Sequence, residues 1–72
     1  MSTSPRIRLQ IDATQRMVDE LDATTELIGA TSRSETLRRA SDLLGTVVHG
    51  KQEGRVLCFR NPDGTYTEII VC

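Results

Sequence analysis

Six residues near the N-terminus constrain the fold more than any other part of the chain. Residues 6–11 read Arg-Ile-Arg-Leu-Gln-Ile and alternate polar with apolar side chains without a break. A period of two residues is typical of a β-strand with one buried face. The residues that follow have a helical pattern and offer no second strand. This strand must therefore pair with another chain or with the distant C-terminus.

The composition makes a partner chain the leading explanation. The chain has 72 residues, of which 38% are hydrophobic, with one Phe, one Tyr and no Trp. A domain of this size buries only about 60% of its unfolded surface and usually needs disulfides, a metal or a second subunit. Two cysteines and one histidine supply neither a disulfide framework nor a zinc site. We therefore expect an obligate dimer without metal or cofactor.

Several classes of protein are disfavoured by the same sequence. So small a body has little room for a water-excluding cleft, and no Ser/His/Asp or Cys/His grouping or glycine-rich phosphate loop is present, so we expect no enzyme. No stretch reaches the roughly 18 apolar residues that span a bilayer, and the N-terminus has no apolar signal-peptide core. We expect a cytoplasmic protein with reduced thiols.

Two helices are predicted between residues 12 and 50. Asp12, with Gln15 three residues later, is the expected N-cap of the first helix, and Gly29 its stop. Its apolar stripe is predicted to comprise Met17, Val18, Leu21, Thr25 and Ile28.

The second helix is expected to begin after a capping box formed by Ser32 and Glu35. It should end at His49-Gly50, with a close approach of another helix explaining Gly45. The predicted i,i+4 ion pairs join Glu35 to Arg39 and Arg38 to Asp42. Its apolar stripe is predicted to comprise Leu37, Ala40, Leu43, Leu44, Val47 and Val48.

A hairpin is predicted at the C-terminal end. Strand-like runs at residues 55–60 and 65–72 flank Asn61-Pro62-Asp63-Gly64, which is typical of a three-residue turn with a bulge at the glycine. If Asn61 pairs with Thr65, then Cys58 faces Glu68 and lies far from Cys72, so no bridge between the cysteines is expected. The same register gives one apolar face, formed by Leu57, Phe59, Ile69 and Val71.

Charge is unevenly distributed although the net charge is only −1. Residues 1–11 carry two arginines and no acid, and residues 31–40 carry three arginines against one glutamate. Between them, residues 12–30 carry five acids against one arginine. This pattern suits a protein with one basic face and one acidic face.

The order of a strand, a helix, a short loop and a capped helix resembles the ribbon–helix–helix family of bacterial and phage DNA-binding repressors. The resemblance rests on residues 6–11 and on residues 29–40, Gly-Ala-Thr-Ser-Arg-Ser-Glu-Thr-Leu-Arg-Arg-Ala, which look like the loop and second-helix start of CopG-type members. It covers about residues 5–50. The C-terminal hairpin looks like an extension carried by some small members.

The resemblance implies an α+β fold and a function. The strands of two subunits would pair antiparallel and enter the DNA major groove, with Arg6, Arg8 and Gln10 facing the bases. The second helix would direct its N-terminal end, Ser32, Arg33 and Ser34, at a backbone phosphate. The resemblance further implies that two dimers can lie side by side on one operator. The expected dimer core comprises Ile7, Leu9, Ile11, Leu21, Leu37, Ala40 and Leu44.

The resulting domain plan has four parts: a flexible arm at residues 1–5, a DNA-binding and dimerisation domain at 6–50, a linker at 51–54 and the hairpin at 55–72. Two simpler interpretations stay open. The polar face of residues 6–10 can be a solvated strand face, and the Ser32–Glu35 segment can be a helix cap and nothing more. A different function is also open: an antitoxin or other interaction module whose hairpin binds a partner protein.

Overall fold

A computed structural model of the chain describes residues 6–71, which form two helices followed by a two-stranded antiparallel hairpin. Helix α1 spans Gln15–Leu27 and helix α2 spans Arg33–Gln52; strands β1 and β2 span Cys58–Arg60 and Tyr66–Glu68. The fold is therefore α+β. The predicted arm at residues 1–5 and Cys72, with the predicted separation of the two cysteines, lie outside the described residues.

Helix α1 is capped by Thr14, and the prediction of Asp12 was wrong. The Thr14 hydroxyl accepts a hydrogen bond from the Met17 N–H at 3.2 Å. This is the third helical N–H, the usual target of a capping side chain, and Asp12 lies two residues too early to reach it. The Gln15 amide donates forward to Asp19 and takes no part in a capping box.

Gly29 ends α1 as predicted. It has a φ of +70°, which a glycine adopts without strain. Its N–H donates to the Glu26 carbonyl and the Ala30 N–H donates to the Thr25 carbonyl. This pair of hydrogen bonds is the Schellman motif, which reverses the chain direction at a helix end. The reversal leaves room for α2 to begin four residues later.

The start of α2 was predicted correctly and its end was not. The Ser32 hydroxyl accepts from the Glu35 N–H at 3.1 Å, while the Glu35 carboxylate reaches back to Thr31 instead of to Ser32. The helix continues past Gly50 to Gln52, and Gly54, with a φ of +83°, closes a second Schellman motif. Residues 51–54 therefore form the last turn and cap of α2, not a linker.

The two helices meet at a pair of hydroxyl groups. Thr36 is 4% exposed and is the one buried residue of the part of the chain that the structure covers. The Thr25 and Thr36 hydroxyl oxygens are 2.7 Å apart. Each hydroxyl also has a carbonyl acceptor on its own helix or cap, Leu21 at 2.7 Å from Thr25 and Ser32 at 3.4 Å from Thr36, so either can donate in the contact between them. A polar contact thus occupies the centre of the helix crossing.

The hairpin has the predicted register, with Cys58 opposite Glu68 and Phe59 opposite Thr67. Asn61 donates through its N–H to the Thr65 carbonyl, and Gly64 has a φ of +89°, as the bulged turn requires. The regular strands have three residues each and are shorter than the predicted runs. Their backbones do not approach either helix closely.

A single chain buries none of the apolar side chains of residues 6–71. The chain exposes 6968 Å², whereas a compact monomer of 8.0 kDa is expected to expose about 4,450 Å². Residues 6–11 have no regular secondary structure in the single chain, so the predicted strand is not formed there, and they pair with neither of the C-terminal strands. Neither helix is long and apolar enough to cross a membrane.

Substituting Thr36 by Val should destabilise the fold by about 1 kcal/mol, because it removes the hydroxyl that joins the helices while keeping the side-chain volume. Urea unfolding followed by circular dichroism measures the change. Thr46 is the matched control, since it lies exposed on the same helix and bonds only the Asp42 carbonyl. Equal stabilities of Thr36→Val and Thr46→Val would contradict a role for the hydroxyl contact.

Candidate nucleic-acid interface

A concave surface lies between residues 6–9 and the first turns of α2. We call it the basic cleft; its volume is about 1000 Å³. It is lined by Arg6, Ile7, Arg8, Leu9, Ser34 and Arg38. Three of these six side chains are arginines and none is acidic, so the cleft favours an anionic ligand.

The arginines of the basic cleft carry uncompensated charge. Five of the cationic side chains at positions 6–71 make no ion pair, and three of those five, Arg6, Arg8 and Arg38, line the cleft. Arginine presents planar N–H groups that match phosphate oxygens and guanine O6 and N7. The clustering gives the N-terminal segment and α2 a common charged surface.

The N-terminal end of α2 contributes polar groups to the same surface. Helical geometry leaves the first N–H groups without an intrahelical acceptor, and the helix dipole is positive there. The Ser32 hydroxyl is occupied by the Glu35 N–H, whereas the Ser34 hydroxyl makes no hydrogen bond to any residue of the described range and lines the cleft. Of these two serines, Ser34 is therefore the better placed to meet an anion in the cleft.

Arg33 is engaged elsewhere. Its Nε donates to Asp22 Oδ1 at 2.7 Å and its Nη2 donates to Asp22 Oδ2 at 2.9 Å, which is the two-pronged geometry preferred by arginine and carboxylate. The hydrogen bond from Arg33 lowers the pKa of Asp22, and the same contact raises the pKa of Arg33. No local sequence pattern predicts this ion pair, because eleven residues and a loop separate its partners.

Glu35 places a negative charge at the start of α2, but hydrogen bonds from neighbouring residues compensate this charge. Its carboxylate accepts from the Thr31 N–H at 2.8 Å and the Thr31 hydroxyl at 2.9 Å, and these hydrogen bonds lower the pKa of Glu35. Arg39 donates to the other carboxylate oxygen at 2.8 Å, which confirms the predicted ion pair. The charge of Arg39 is therefore compensated by Glu35, and Arg39 does not line the cleft.

Arg38 is the cleft residue that sequence reasoning assigned elsewhere. The predicted ion pair with Asp42 is not formed, so that prediction was wrong. Arg38 lies four residues after Ser34, and such residues share one face of a helix. This spacing of four residues was the sequence signal that could have placed Arg38 beside Ser34 in the cleft. An ion pair at i,i+4 on an exposed helix contributes only about 0.3–0.5 kcal/mol, too little to fix the side chain.

The remaining predicted site residues are all placed on the surface of the single chain. Gln10 is exposed and does not line the cleft. Of the predicted dimer core, Leu21 is half-buried and the other six residues are exposed: Ile7, Leu9, Ile11, Leu37, Ala40 and Leu44. The N-terminal segment and α2 thus present apolar side chains beside the arginines of the cleft.

No family model matches the sequence, and no curated protein or solved structure is significantly similar to it. Within residues 6–71, no three His, Cys, Asp or Glu side chains are grouped so that they could hold a metal ion. The properties of the basic cleft are therefore the basis for a functional proposal.

Proposed function

We propose that this protein is a sequence-specific DNA-binding transcriptional regulator, a repressor, that acts as a ribbon–helix–helix homodimer. Residues 6–11 of two subunits would form an antiparallel ribbon in the major groove, with Arg6, Arg8 and Gln10 facing the bases. The N-terminal end of α2, at Ser32–Ser34, would adjoin a backbone phosphate.

The observation that carries this proposal is the composition of the basic cleft. Arg6 and Arg8 come from the predicted ribbon, and Ser34 comes from the predicted phosphate-binding end of α2. A ribbon in the groove and a helix end on the backbone must act on the same stretch of duplex, so these elements have to lie side by side. Their juxtaposition in one acid-free surface supports a common polyanionic ligand.

The homodimer is supported by the exposed apolar surface. Ile7, Leu9 and Ile11 are 80%, 84% and 61% exposed in one chain, a pattern that a solvated strand does not require. An apolar depression of about 280 Å³ also lies between the helices, with Ile28, Ala40 and Leu43 in its lining. Pairing of residues 6–11 with a second copy would satisfy the backbone of the ribbon and cover its apolar face.

Binding-site selection from random duplexes tests the DNA-binding function. We expect the wild-type protein to enrich a defined motif, and Arg8→Ala to lose about 1–3 kcal/mol of discrimination at one base position. The matched control is Arg16→Ala, an exposed arginine that pairs with Glu20 on α1. An unchanged motif with Arg8→Ala would refute base reading by this residue, and no enrichment with the wild type would refute the function.

Truncating Leu9 tests the dimer. In the proposed core, Leu9→Ala should cost about 2–5 kcal/mol per buried side chain and shift the monomer–dimer equilibrium towards the monomer. Leu27→Ala is the control, because Leu27 is 85% exposed in one chain but lies outside the predicted core. Sedimentation equilibrium and urea unfolding at several protein concentrations measure both changes. If the two variants behave alike, residues 6–11 do not form the dimer ribbon.

A second function, recognition of a partner protein by the hairpin, is favoured by one observation. The hairpin segment exposes several apolar side chains, and its strands do not approach the helices. The exposed side chains are Val56, Phe59, Tyr66 and Ile70. An antitoxin that also represses transcription would combine both functions in one chain, with the hairpin edge free to pair with a strand of the toxin.

Truncation of the chain after Val56 separates the functions. It removes the hairpin but keeps the Arg55 N–H that caps the Gly50 carbonyl at the end of α2. We expect the dimer and its DNA binding to survive, since the strands contribute nothing to the helix crossing. Gel filtration and an anisotropy titration on the selected duplex measure both. Loss of folding would show that the hairpin belongs to the core and would argue against a free recognition element.

A further inference from the structure

We propose that Arg38, and not Arg33, is the arginine of α2 that binds the DNA backbone. This inference rests on the proposed function and assigns the guanidinium contact within it. Sequence position favours Arg33, since it is the first residue of α2, beside the helix N-terminus. The contacts of the two side chains favour Arg38 instead.

Arg33 is held by a competing anion. Asp22 occupies its Nε and Nη2 at 2.7 and 2.9 Å, the same two-pronged arrangement that a phosphate would need. A phosphate that approached Arg33 would have to displace this carboxylate and would be repelled by its charge. The pair is exposed, so it can exchange, but Arg33 adds no net positive charge to the surface while Asp22 is bound.

Arg38 has no such competitor. It makes no ion pair with any acid of residues 6–71, and it lines the basic cleft together with Arg6, Arg8 and Ser34. Its position one turn after Ser34 extends the polar surface of the helix end along the cleft wall. A phosphodiester oxygen in the cleft would meet the Arg38 guanidinium from α2 and the arginines of the ribbon from the other side.

The neighbouring Arg39 supplies a matched comparison. It has the same charge and lies on the same helix, but Glu35 binds it at 2.8 Å and it is not part of the cleft lining. The two adjacent arginines therefore differ in charge compensation and in location. A function that depended only on the net charge of the chain would respond equally to the loss of either.

The test is a fluorescence anisotropy titration of two labelled 20-base-pair duplexes, one carrying the selected motif and one unrelated, at several salt concentrations. A dimer has two copies of Arg38, so Arg38→Ala should reduce the slope of log K against log salt by about 1.8. Affinity for both duplexes should fall more than about tenfold at 0.1 M salt. Arg38→Lys should keep the slope, and Arg39→Ala and Arg33→Ala should change affinity less than about threefold.

Each outcome bears on a different claim. If Arg38→Ala binds like Arg39→Ala while Arg8→Ala still alters the motif, the Arg38 contact is wrong and the proposed function stands. If Arg33→Ala produces the large loss of slope, Arg33 leaves Asp22 and takes the contact, and the inference is likewise overturned. If the wild type binds neither duplex, the proposed function fails and the inference falls with it.

Discussion

The crossing of α1 and α2 depends on a short chain of hydroxyl hydrogen bonds. The Thr36 and Thr25 hydroxyl groups share a hydrogen bond at 2.7 Å, and the Leu21 and Ser32 carbonyls are the further acceptors of this chain. Because Thr36 lies in the first turn of α2, this contact fixes the end of the helix that lines the basic cleft. The ion pair between Asp22 and Arg33 ties the same end of α2 to α1. The position of the cleft wall relative to α1 therefore follows from contacts that are polar.

A polar crossing has a consequence for the rest of the chain. The helices do not meet through a buried apolar core, so none of the apolar side chains of α2 is buried, and Leu37 and Leu44 are 40% and 49% exposed. Burial of apolar surface is the main favourable term in folding, at about 25 cal/mol per Å². A chain that leaves this term unused within one copy can obtain it by association. The proposed intertwined dimer would supply it by adding a second set of the same apolar side chains.

The features that could be predicted from sequence are those decided within a few residues. Gly29, Ser32 and the turn around Gly64 each act through contacts of about five residues or fewer, and all three are found as predicted. The end of α2 was mispredicted because the sequence offers two glycines. Gly50 is tolerated inside the helix at a cost of about 1 kcal/mol, and the good helix formers that follow extend it to Gln52, with Gly54 in the cap. The pairing of Arg33 with Asp22 depends on the crossing angle, which no local pattern specifies.

The same ion pairs explain how a chain of net charge −1 can present a basic surface. Residues 31–40 hold three arginines, and acids bind two of them: Asp22 takes Arg33 and Glu35 takes Arg39. The third, Arg38, keeps its full charge beside the arginines of the N-terminal segment. The acids thus determine which arginines contribute to the field in the cleft. A polyanion responds to that local field, because salt screens charges more than about 8–10 Å away.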